Sequence, residues 1–260
     1  MTGPTLNRTG SGKPLLLVHG LGATARAWAM VAPALAKHRE VVTFDLPGHG
    51  QTPAEADSGT FAGLMRSIDA LLGEHDLSGI DVVGSSLGGR IVLELARLGR
   101  VGNCIALDPG GFWQGWEAKY LSTTLGASGA LLRSIRPMLP WIAAHKVTRG
   151  AALLQLVNRP SVLDPAVIAH ELRALADTPT FSALVHDLST GPSQPGPAAP
   201  STGNLMIGWG RQDHLCLPVQ AARARAAFPS AELYWFEDCG HFPMWDQPEE
   251  TVELILAATA

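Results

Sequence analysis

Cysteine is scarce, at three residues in 260, and an odd number in a chain this long argues against a disulfide framework and for a reducing compartment. Cys216 and Cys239 are not spaced as zinc ligands. No apolar run approaches the ~18 residues that a membrane span needs. Residues 1–13 are polar and Gly-rich, with no apolar segment of the signal-peptide kind. Charge is also sparse: Asp, Glu, Lys and Arg make up 16% of the chain, and the formal net charge is −4. Such a balance leaves no basic footprint for nucleic acid. There is no H-E-x-x-H, no cysteine–histidine cluster and no G-x-G-x-x-G after the first predicted strand, so neither a metal nor an organic cofactor is expected. The expected partner is a small molecule and the expected location the cytoplasm.

What is abundant is apolar sequence, 46% of the chain, enough for one large α/β domain with an insertion or for two small domains. Short apolar runs are spaced along it. Leu15 to Val18, Val41 to Phe44, Ile80 to Val83, Cys104 to Leu107, Leu205 to Ile207 and Leu233 to Phe236 suit buried strands. Helical patterns lie between them, over residues 24–36, 60–74, 91–98, 218–227 and 248–258. Strands alternating with helices predict a mostly parallel, doubly wound sheet. The alternation stops near residue 112. From there to about 188 every pattern is helical, and Asp164-Pro165 and Thr178-Pro179 read as starts of two of these helices. Ser189 to Gly203 is rich in proline and glycine and reads as a linker. The expected division is therefore a core of residues 1–111 and 204–260, with an inserted helical cap and its return linker over 112–203.

The most informative stretch is Gly84-Ser85-Ser86-Leu87-Gly88-Gly89-Arg90. It sits between a predicted strand and a predicted helix, the context in which G-x-S-x-G forms a nucleophile elbow. Glycine at 84 and 88 removes the β-carbons that would obstruct so tight a turn, and Ser86 is presented at its tip.

With His19-Gly20-Leu21-Gly22, the loop Asp45 to Gly50, the elbow, the helical insertion, Asp213 after a late strand and then His241, the chain resembles the α/β-hydrolase superfamily over nearly its full length. That resemblance implies a Ser-Asp-His triad of Ser86, Asp213 and His241. A serine hydroxyl needs a base to take its proton, imidazole titrates near neutrality, and a carboxylate orients and stabilises it. Asp108, at another strand end, is the rival acid. The backbone N–H groups of Leu87 and Leu21 are the implied oxyanion donors. His19 and His49 are expected to brace loops. Serine at the elbow, with Tyr120 the lone tyrosine of the insertion, disfavours the aspartate-based epoxide and halide chemistries of the superfamily.

Phe112, Trp113, Trp116, Met138, Leu139, Trp141, Ile142 and, beside the histidine, Phe242 are apolar residues that would line a substrate pocket or pack the cap. Between 112 and 163 six basic residues (Lys119, Arg133, Arg136, Lys146, Arg149, Arg159) face one acid, Glu117. They would favour an anionic substrate or form a solvated face. The implied activity is acyl-ester or thioester hydrolysis through an acyl-enzyme. Hydrolysis of a carbon–carbon bond in a diketo acid, or a receptor with little turnover, stands as the alternative.

Overall fold

A computed structural model describes residues 4–197 and 203–260. Seven strands form one sheet: β1 (Asn7–Gly10), β2 (Pro14–Val18), β3 (Glu40–Thr43), β4 (Asp81–Ser85), β5 (Cys104–Leu107), β6 (Leu205–Gly210) and β7 (Glu232–Phe236), in the order β1-β3-β2-β4-β5-β6-β7. β1 runs antiparallel to β3; the other neighbours are parallel. Alternation along β2 shows why the sheet is covered on both faces. Leu16 and Val18 enter one apolar layer, while Leu15 and Leu17 enter the other.

The helices are α1 (Ala32–Leu35), α2 (Phe61–Glu74), α3 (Leu87–Arg97), α4 (Trp116–Ser134), α5 (Leu139–Ala144), α6 (Lys146–Leu153), α7 (Pro165–Asp177), α8 (Phe181–Thr190), α9 (Val219–Ala227), α10 (Pro243–Asp246) and α11 (Pro248–Ala258). α2 buries Leu64, Ile68, Leu71 and Leu72, the i, i+4, i+7, i+8 stripe of an amphipathic helix. The Thr60 hydroxyl starts it by accepting from the Gly63 N–H at 3.0 Å. No helix among the described residues is long and apolar enough to cross a membrane.

Three local expectations differ. The helix expected over 24–36 is divided into a 3-10 turn (Ala25–Trp28) and α1. Pro33 supplies no N–H and crowds the preceding turn, so a helix cannot run through it. Asp164 caps α7 by accepting from the Ala166 N–H at 2.7 Å, but Thr178 closes α7 rather than opening α8, its hydroxyl donating to the Ala174 carbonyl at 2.8 Å. α8 runs on to Thr190, so the irregular return begins at Gly191, and residues 198–202 of the expected linker lie outside the described residues.

Asp81, the charge that interrupts the apolar run into the elbow, is buried at the start of β4. It accepts from Arg39 Nη2 at 2.6 Å and from the Asn103 N–H at 3.0 Å, with Lys13 Nζ at 2.9 Å. A buried ion pair broken on one side leaves an uncompensated charge. Asp81→Ala is therefore expected to destabilise the fold by about 3–5 kcal/mol, read as a lowered urea midpoint.

Candidate active site

The carboxyl ends of β2, β4, β6 and β7 point towards the helices inserted between β5 and β6, and a cavity of about 840 Å³, open mouth included, lies at that junction. Its wall is apolar: Leu121, Leu125, Leu153, Leu156, Ile168, Leu172, Leu175 and Leu188 from the inserted block, with Leu21, Leu87, Leu215, Phe242 and Trp245 from below. Ser86 and His241 also face it.

Ser86 joins β4 to α3 at φ 58° and ψ −115°, a conformation that costs an L-residue energy and is kept where the surroundings over-determine it. Two glycines impose it. A Cβ on Gly84 would lie 2.1 Å from the Gly88 carbonyl oxygen, and one on Gly88 would lie 2.1 Å from that of Val18. β4, α3 and β2 thus approach too closely for any side chain at either position.

His241 is buried between β7 and α10, its N–H donating to the Leu156 carbonyl at 2.8 Å. Nδ1 is 2.7 Å from Asp213 Oδ2. An ionised carboxylate only accepts, so Nδ1 carries the proton and Nε2 presents its lone pair. Nε2 is buried and has no hydrogen-bond partner among the described residues. Asp213 is itself fixed: Oδ1 accepts from the Leu215 N–H at 2.7 Å and the Cys216 N–H at 3.0 Å, leaving Oδ2 for the imidazole. Asp246 stiffens the same corner by accepting from the amides of Asn158, Arg159 and Gly240 at 2.7–2.9 Å.

Asp108 ends β5 beside this group, at φ 44°. Oδ1 accepts from the Gly210 N–H at 2.8 Å, while Oδ2 has no partner among the described residues. Burial, then the neighbouring Asp213 charge, push its carboxyl well above the usual range. Asp213, not Asp108, is the acid hydrogen-bonded to His241 among the described residues. Burial, reinforced by Asp213 and Asp108, also pushes the Cys216 thiol up, so it stays protonated although it lies within 4.8 Å of the Asp213 and His241 donor atoms.

The amides of Leu21 and Leu87 both belong to residues lining the cavity, and neither N–H has an acceptor among the described residues. His19 braces the loop below them. Nδ1–H donates to the Gly20 carbonyl at 2.8 Å and Nε2 accepts from the Leu46 N–H at 2.9 Å. The His49 ring packs against it, tilted, at 5.3 Å, and burial lowers the His49 pKa to about 3.

The pocket aromatics divide. Trp113 and Phe242 line the cavity, with the Phe242 ring 4.9 Å from that of His241. Phe112 does not; it packs edge-on against Phe228 at 6.4 Å, inside the core. Trp116 and Trp141 are more than half exposed, Trp116 edge-on to Tyr120 and Trp141 tilted against His145 at the outer surface, and Met138 is exposed as well. Leu139 and Ile142 pack the interior of the insertion.

Sequence reasoning passed over two charged wall residues, Arg90 and Glu171. Glu171, on α7, is buried, and both its oxygens are held by Thr24, from the hydroxyl at 2.6 Å and the N–H at 2.9 Å. This clamp fastens the insertion to the loop that carries Leu21. Burial raises the Glu171 pKa to about 7. Because the folded value lies above the unfolded one, stability falls as pH rises from about 4.5 to about 7, where the unfolded chain releases this proton first. In Glu171→Gln that decrement is expected to vanish, measured as a flatter melting temperature between pH 5 and 8.

The chain belongs to the alpha/beta hydrolase family, whose model matches residues 15–254. It is 27% identical over 248 residues to the dihydrolipoyllysine-residue acetyltransferase component of the acetoin cleaving system of Pseudomonas putida, covering 95% of this chain but spanning only 63% of that relative. It is 29% identical over 260 residues to the pimeloyl-[acyl-carrier protein] methyl ester esterase of Aromatoleum aromaticum, covering 93% of this chain and 96% of the relative. A thermophilic esterase from Thermogutta terrifontis shares the fold at a TM-score of 0.76 and 21% identity, over 98% of this chain and 92% of that one.

Proposed function

We propose that this protein is a serine hydrolase that cleaves a carboxylic ester or thioester of a small, largely apolar substrate through an acyl-enzyme. The observation that carries the reading is the His241–Asp213 hydrogen bond of 2.7 Å, whose imidazole offers an unpartnered Nε2 at the cavity that Ser86 also faces. Ser86 attacks the acyl carbon while His241 takes its proton. Asp213 holds the tautomer and stabilises the imidazolium. The Leu21 and Leu87 N–H groups receive the developing oxyanion, the latter helped by the start of α3. His241 then delivers the proton to the leaving oxygen or sulfur, and water repeats the cycle on the acyl-enzyme.

The helical insertion that begins at residue 112 forms the cap over this site in our reading, and the apolar wall selects the acyl chain by burial. The similarity to a methyl ester esterase supports ester cleavage. The test is a panel of p-nitrophenyl esters of graded acyl length together with a vinylogous diketo acid. Saturable turnover of at least one ester, with no turnover of the diketo acid, is the expected result. Turnover of the diketo acid alone moves the reading to carbon–carbon cleavage, and turnover of neither, with tight binding of a ligand, to a receptor.

A further inference from the structure

The basic residues of the insertion do not furnish an anion site inside the cavity. Arg149 is buried on the backbone carbonyls of Ala143, Pro160 and Ser161, and Arg136 grips Asp177 with two bonds of 2.6 Å. The cation that does line the cavity lies elsewhere, on α3, four residues after Ser86 and therefore on the same helix face.

Arg90 is 4% exposed, yet it makes no ion pair among the described residues. Nε donates to Gln194 Oε1 at 3.3 Å and Nη2 to the Pro192 carbonyl at 2.8 Å, both neutral acceptors. A guanidinium has five N–H donors, and the others have no acceptor among the described residues. The two nearby acids, Asp187 and Glu94, act on Arg90 through their charge and form no hydrogen bond to it among the described residues. Glu94 binds Arg97 at 2.7 and 2.8 Å and Gln194 at 2.8 Å. Asp187 accepts from the Phe61 N–H at 2.8 Å. The head group is held in place, stacked 4.3 Å over the Phe61 ring centroid and 5.9 Å from that of Trp113, itself a wall residue. Burial lowers the Arg90 pKa to about 10, so it remains charged at neutral pH.

A buried cation with no hydrogen-bonded anion is costly, and Arg90 lines a cavity whose remaining wall is almost wholly apolar. We infer that Arg90 is a specificity-determining residue that seats a carboxylate at the far end of the acyl chain, so that the preferred substrates are half-esters of dicarboxylic acids. Glu171, which faces the same cavity, has both its oxygens taken up by Thr24, so that side of the wall offers a substrate carboxylate no competing cation.

This inference rests on the ester hydrolysis proposed above, and its test separates the two. The monomethyl esters of straight-chain dicarboxylic acids of four to ten carbons are compared with the methyl esters of the matching monocarboxylic acids. The readout is the ratio of kcat/KM for half-ester to neutral ester. The wild type is expected to favour the half-ester at one or more lengths; Arg90→Leu is expected to lower that ratio at least tenfold, and Arg90→Lys to restore part of it. An unchanged ratio in Arg90→Leu, with Ser86 still labelled by a fluorophosphonate, overturns the role of Arg90 and assigns it to bracing the return segment. Absence of that label in the folded wild type overturns ester hydrolysis instead. A measurement without variants guards against misfolding of Arg90→Leu: a free C6–C10 monocarboxylate should protect wild-type Ser86 from labelling at tenfold lower concentration than the alcohol of the same length. Equal protection contradicts the proposal.

Discussion

Replacing Ser86 by alanine is expected to lower kcat/KM on the best ester of the panel by about 10⁴-fold or more, while the melting temperature stays within a few degrees. The hydroxyl is the atom that the proposed covalent step requires, and nothing nearby replaces it. Ser85, its neighbour, is buried in β4 with a hydroxyl that has no partner among the described residues, and it does not belong to the cavity wall. The fold does not depend on the Ser86 side chain, because the turn is imposed by the close approaches at Gly84 and Gly88. Alanine carries the same Cβ at φ 58° and so the same backbone strain. Circular dichroism and melting confirm the fold; activity within tenfold of wild type would remove Ser86 from the mechanism.

The second large effect is expected at Asp213. Asp213→Asn keeps the side-chain shape but replaces one carboxylate oxygen by an NH₂ group. With its oxygen still accepting from Leu215 and Cys216, the amide turns a donor towards His241 Nδ1. The imidazole then holds its proton on Nε2, the wrong atom for a base, and loses the charge that stabilises its protonated form. The expected loss is about 10³–10⁴-fold in kcat, with KM little changed. Asp108→Asn provides the comparison. Its carboxyl bonds the Gly210 amide and has no hydrogen bond to the His241 ring among the described residues, so its loss is expected to stay within about tenfold. The opposite ranking of the two variants would make Asp108 the triad acid.

The placement of these groups follows from signals that are local in sequence. Short, largely apolar runs marked β2 to β5, and the two glycines of the elbow mark a turn whose steric cause is visible as 2.1 Å approaches. The antiparallel β1 is less legible, because Asn7–Gly10 is exposed along its length and carries no apolar alternation. The insertion is harder still. Aromatic side chains there have the same composition whether they line a cavity or cover a surface. Trp113 sits within a loop against Gly110, and Trp116, three residues on, lies outside. Arg90 and Glu171 carried a usable signal. Each is a charge on the apolar face of a helix, Arg90 one turn after Ser86 and Glu171 between Ile168 and Leu172, and a buried charge is a departure that asks for a partner. The partners, Thr24 and the 192–194 segment, come from distant parts of the chain, so only the folded arrangement reveals them.

The central claim, that Ser86 becomes a nucleophile through His241, is tested most directly by treating the folded protein with a fluorophosphonate and locating the adduct by peptide mass spectrometry. The expected result is one adduct per chain on the peptide bearing Ser86, absent in Ser86→Ala and formed at least 100-fold more slowly in His241→Ala. An unmodified folded protein, or an adduct on any other residue, would contradict it.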